Sequence, residues 1–74
     1  MRHGTVRILL AKLMKESGRT KGEVSRIAEM ERTQFNHYCK SDITRVDLDV
    51  LARLCNALGC DISDLLEYVP EDRQ

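Results

Sequence analysis

The 74 residues contain no tryptophan, a single proline and only three aromatic side chains, Phe35, Tyr38 and Tyr68. A core built from this sequence must rest on Leu, Ile, Val, Met and Ala, which suits packed helices. No apolar run approaches the roughly 20 residues of a membrane span, and the N-terminus has no signal-peptide core with a small-residue cleavage site. The chain therefore reads as soluble and cytoplasmic. Paired cysteines are missing too. Cys39, Cys55 and Cys60 are odd in number and form no C-x-x-C, whereas a disulfide framework needs an even set and a zinc site closer ligand pairs. They read as small apolar residues in a reducing compartment. Net charge is absent as well, with 12 Lys and Arg against 12 Asp and Glu.

The charge that is present is unevenly distributed. Met1 to Val46 carry ten basic and five acidic residues, and Asp47 to Gln74 carry two against seven, so the halves are +5 and −5. That fits a molecule with one basic face and one acidic end. An apolar fraction of 42% is enough for one small core, and 32% charged residues do not suggest disorder. The length sets one domain, residues 1–74, with a core fold over about 6–66 and a C-terminal tail over 67–74.

Helix signals follow one another closely. Val6, Leu9, Leu10, Leu13 and Met14 recur at three- and four-residue intervals and predict helix one, stopped by Gly18. Thr20-Lys21-Gly22-Glu23 has the form of a capping box opening helix two, which runs through Val24, Ile27 and Ala28. Met30 anchors a turn, and Phe35 with Tyr38 supplies the apolar pair of helix three. "KSDITRV" breaks the periodicity and reads as a loop. Asp47 caps helix four, with Leu48, Leu51, Leu54, Cys55 and Leu58 ahead of Gly59. A last short helix begins at Asp61 or Ser63 and passes through Leu65 and Leu66. Pro70 stops it, and the polar tail beyond is expected to fray. The expected fold class is all-α, five short helices around a central helix-turn-helix. Its two middle helices need small or apolar residues where they touch, here Val24, Ala28, Met30, Phe35 and Tyr38.

At "ESGRTKGEVSRIAEMERTQFNHYCKS" and "DVLARLCNALGCDISDLLEYVP" the sequence resembles the lambda-repressor-like Cro/cI-type (XRE) helix-turn-helix regulators. The second string is similar to that family's L-x-x-L-x-x-A-L-G-x-x-x-x-D-L-L ending. The resemblance implies a partner, double-stranded DNA, read by a homodimer at a palindromic operator, most often as a repressor. It implies base reading by Arg32, Thr33, Asn36 and His37. Backbone contacts fall on Thr20, Lys21, Gln34, Lys40, Ser41 and Arg45. The residue types suit these tasks: Arg forks onto guanine, Asn onto adenine, and Thr reaches a thymine methyl or offers its hydroxyl. Leu66, Tyr68 and Val69 are the candidate subunit contacts. No cofactor, metal or small-molecule effector is implied; His37 and Cys39, two apart on a helix, point to different faces.

The sequence departs from the family at particular places. Glu29 stands where the turn usually has glycine, and Glu31 where the recognition helix usually has a Ser or Thr cap. Met14 and Cys39, both apolar, occupy positions that often hold an arginine–glutamate pair, an exchange that can be near neutral. Zero net charge together with Glu29 and Glu31 keeps open an alternative, a protein-interaction module on the same fold, antitoxin-like or anti-repressor. No paired carboxylates, nucleophile–base set or phosphate loop suggests an enzyme.

Overall fold

The computed structural model describes residues 2–73, with the side chain of Arg73 excepted. Five helices and one small sheet follow in the order β1 (Thr5–Ile8), α1 (Leu10–Ser17), α2 (Lys21–Ile27), α3 (Arg32–Lys40), α4 (Leu48–Leu58), α5 (Ile62–Leu65) and β2 (Leu66–Val69), with a 3₁₀ turn at Glu71–Arg73.

The helix boundaries have local causes. Gly18 and Gly59 end α1 and α4 in left-handed conformation, at φ 73° and 65°, where a Cβ would be strained. Thr20 caps α2 by accepting the Glu23 N–H at 3.2 Å; only this threonine half of the expected capping box is formed. Asp47 caps α4 by accepting the Asp49 N–H at 2.8 Å. At α5 the Asp64 carboxylate accepts the Asp61 N–H at 3.0 Å.

The helices close around one core. Leu10, Val24, Leu54 and Leu65 are wholly buried, and Val50, Leu51, Phe35, Tyr38, Met14, Ala28 and Ala57 fill the space between them. Met14 is in this core and Cys39 is packed against it, so the positions of the missing ion pair are filled by apolar contact. Burial pushes the Cys39 thiol above its ordinary pKa. Tyr38 keeps its hydroxyl satisfied by accepting the Asp47 N–H at 3.3 Å. That bond ties the end of the loop after α3 to the cap of α4.

Two segments differ from the sequence-based expectation. Val6 is not in the first helix, and residues 66–69 are a strand instead of the end of the last helix and the start of the tail. They form an antiparallel ribbon in which Thr5 pairs with Val69, Val6 with Tyr68, Arg7 with Glu67 and Ile8 with Leu66. The apolar spacing of Val6, Leu9 and Leu10 fits a helix, but Val6 and Ile8 are β-branched and also fit the two-residue alternation of a strand. The second strand, 61 residues further along, decides between the two. Gly4 makes this pairing possible, because a Cβ there would run into the Val69 carbonyl and approach Pro70 Cα and the Tyr68 hydroxyl within 2.8 Å.

Candidate nucleic-acid interface

On α3, at 100° per residue, Arg32, Asn36, Lys40, Thr33 and His37 fall in that order within an arc of roughly 140°. Phe35 and Tyr38 lie on the opposite side and are buried. Arg32, Thr33, His37 and Lys40 are exposed, while Asn36 and Gln34 are partly covered. Gln34 lies past the His37 edge of the arc, toward Tyr38. The buried pair therefore fixes which way the polar face points.

Helix α2 brings a second row of groups to this face. A groove of about 470 Å³ runs between α2 and α3, bordered by Lys21, Gly22 and Ser25 on one side and Arg32 and Asn36 on the other. Met30 and Phe35 complete its lining. A cation is thus held beside a forked donor and a side-chain amide. Thr20 stands one residue before Lys21 and is exposed, with its oxygen engaged in capping.

Two candidates, Ser41 just past α3 and His37 within it, have internal partners. The Ser41 hydroxyl accepts the Ile8 N–H at 2.8 Å, and Ser41 is left-handed at φ 57°. This residue therefore anchors the end of α3 to β1. His37 Nδ1 lies 2.9 Å from Asp42 Oδ1. Arg45 is exposed in the loop before α4. The hydrogen bond from His37 holds the Asp42 carboxyl below the ordinary carboxylate range, with the nearby positive charges of His37 and Lys40 adding to the effect. A depressed carboxylate contributes stability above its unfolded-state pKa and loses it as pH falls through the folded value. In an NMR titration, Asp42 is expected to protonate at lower pH than a peptide aspartate and to move back toward it in His37→Asn. An unchanged midpoint in that variant would remove the bond.

The turn between α2 and α3 is held by a residue that sequence reasoning passed over. Arg53, on α4, donates from Nη1 to the Ala28 carbonyl at 2.8 Å and to the Glu29 carbonyl at 3.0 Å. Its Nε is 3.2 Å from Asp49 Oδ2, an ion-pair distance without hydrogen-bond alignment. Arg19 does a similar task elsewhere, donating to the Ala57 carbonyl near the end of α4 at 2.9 Å. The turn itself contains Glu29 at φ 54°, a conformation costing a non-glycine residue about 1–2 kcal/mol. Glu29→Gly is expected to raise stability by about 0.5–1 kcal/mol once the greater freedom of the unfolded chain is subtracted. Urea unfolding reads this directly. A loss of stability would mean that the Glu29 side chain does more than tolerate the turn.

Glu31 is the N-cap of α3, yet its side chain makes no capping bond. Its carboxylate is consequently exposed beside Arg32, at the end of α3 that begins the polar face.

These features define a helix-turn-helix with an exposed polar face on its second helix. The family model for the Cro/C1-type HTH DNA-binding domain matches residues 10–71, and the chain belongs to that family. The match begins at α1 and leaves β1 outside. Among solved structures, the transcriptional regulator VanUg is similar at 28% identity with a TM-score of 0.73, over 96% of this chain and 93% of that one. A candidate DNA-binding protein from Bacteroides fragilis shares the fold with a TM-score of 0.74 at 16% identity, over 85% of this chain and 100% of that one. No curated protein matches. Among the described residues, no helix is long and apolar enough to cross a membrane, and no group of three or more His, Cys, Asp or Glu is placed to hold a metal ion.

Proposed function

We propose that this protein is a sequence-specific transcriptional regulator, a homodimeric repressor that lays α3 of each copy into the major groove of a palindromic operator. The observation that carries this reading is the groove joining Lys21 to Arg32 and Asn36 on the exposed side of the helix-turn-helix. Lys21 takes a phosphate, and Arg32 and Asn36 read purine edges. Thr33 and His37 extend the reading along the helix. Lys40 and Arg45 grip the backbone beyond its C-terminal end, with Thr20, Gln34 and Ser41 as secondary backbone contacts. Two copies are needed because one short helix reads few bases, whereas two related by a dyad read half-sites about one helical turn apart. Leu66, Tyr68 and Val69 lie on β2 and supply part of the subunit contact. Of these, Tyr68 is exposed, and the other two are half-buried.

The test is selection of bound sequences from random duplex DNA at low salt. A two-fold symmetric sequence is expected to be enriched. If no duplex is retained, the DNA reading falls and the face serves a protein partner instead.

A further inference from the structure

Beside the outer edge of β1 lies a second groove, of about 820 Å³, bounded by residues 3–8, by the loop Ser41–Thr44, and by Val46 and Leu66. We propose that a second copy of this chain docks here, edge strand to edge strand about a two-fold axis. This rests on the dimeric regulator reading above and specifies where its subunits meet.

Three observations select a copy of the same chain. The first is the backbone edge. The Leu9 N–H bonds the Leu65 carbonyl at 2.7 Å, and the Ile8 N–H turns the other way to Ser41. Because an antiparallel ladder alternates, Val6 also directs its N–H and C=O outward. Ser41 already occupies the Ile8 end, and His3 Nδ1 lies 2.6 Å from the carbonyl oxygen of buried Gly4, so the available edge narrows to Val6. Two such edges pair antiparallel across a dyad at Val6, and this pairing uses up both, which closes the assembly at two.

The second observation is the apolar surface around that edge. Val6 is 62% exposed, its cross-strand neighbour Tyr68 59% and Val46 42%. With half-buried Ile43, these leave apolar side chains exposed around the edge, the kind of surface a second subunit covers.

The third is charge. The groove's charged lining is Arg7 and Asp42, with His3 titratable, and Asp42 is engaged with His37. A near-neutral lining imposes little like-charge repulsion when the same patch meets itself. It offers nothing to a polyanion or to a strongly charged peptide. The groove also begins where α3 ends, so a dyad here fixes the relative placement of the two recognition helices.

Sedimentation equilibrium without DNA tests this. The wild-type chain is expected to be a dimer at micromolar concentration. Val6→Lys and Val46→Lys are each expected to weaken the dimer by at least about tenfold while keeping the wild-type circular dichroism. Both positions are exposed, and an edge lysine opposes strand pairing. Ile62→Lys changes an exposed residue of α5 away from the groove and is expected to leave the dimer intact. A monomeric wild type, or a dimer broken by Ile62→Lys and retained in both groove variants, overturns the proposal. DNA binding is scored separately: a chain that dimerises through this groove yet binds no duplex refutes the regulator reading and leaves the interface standing.

Discussion

Raising salt from about 50 to about 200 mM is expected to weaken operator binding about a thousandfold, a loss set by phosphate contacts. The estimate counts Lys21, Lys40 and Arg45 in each of two copies. Six neutralised phosphates give a slope of roughly −5 in log affinity against log salt. Net charge of zero does not reduce this much, because the acidic residues concentrate after Asp47 and the slope counts local phosphate contacts. Fluorescence anisotropy on the selected duplex at four or five salt concentrations reads the slope. A slope shallower than about −2 would mean that the basic groups are an ordinary solvated surface. Removing one cation, as in Lys21→Ala, should flatten the dimer's slope by about two units and weaken all sequences alike.

Arg32→Ala belongs beside that experiment because it separates reading from gripping. It is expected to cost about 1–3 kcal/mol per half-site on the selected sequence and to relax one base position, since a forked donor discriminates a guanine edge. Glu31 gives a sharper contrast. Its carboxylate is not spent on capping α3, so Glu31→Gln removes charge without removing a cap. A carboxylate that only repels phosphate gives a variant that binds every duplex more tightly. One that accepts from a cytosine amine gives a variant changed at a single base position.

Much of the scaffold could be read from the sequence, because its signals are local. Gly18, Gly59, Thr20 and Asp47 each act within a few residues of themselves, and Phe35 with Tyr38 defines a helix face by spacing alone. The exposed polar face of α3 followed from the same geometry, being whatever the helix turns away from those two rings. Long-range facts were not legible. Residues 5–8 carry apolar spacing that fits a helix as well as a strand, and only pairing with 66–69 settles it. Ser41 is a backbone-contact candidate by its match to the family, and the bond its hydroxyl accepts from Ile8, 33 residues away, has no local signal in the sequence. Tyr68 and Val69 stand out in the sequence only as candidate subunit contacts. Their strand could not be seen without its partner.

Arg53 is the plainest case of a residue whose role is invisible locally, and Arg53→Ala is expected to have the largest effect on the site from outside it. On α4 it is an ordinary arginine four residues after Asp49. In the fold it holds two carbonyls, of Ala28 and Glu29, with one nitrogen. Hydrogen bonds from a charged donor contribute about 1.5–3 kcal/mol each. With the side chain about one-third exposed, the pair is worth less than the sum, and a loss of about 2–3 kcal/mol is expected after discounting for solvent. The loss falls on the turn that sets α3 against α2, whose Glu29 is already strained. Affinity for the operator should therefore drop more than stability predicts, even where the variant is fully folded. Arg53→Lys keeps the charge but replaces the planar guanidinium with a single ammonium, so it should recover only part of the loss. Adding Glu29→Gly relaxes the turn that Arg53 holds, and in the Arg53→Ala background it should restore affinity by more than its own effect in the wild type. Strict additivity of the two changes would show that Arg53 stabilises α4 alone and leaves the recognition helix where it was.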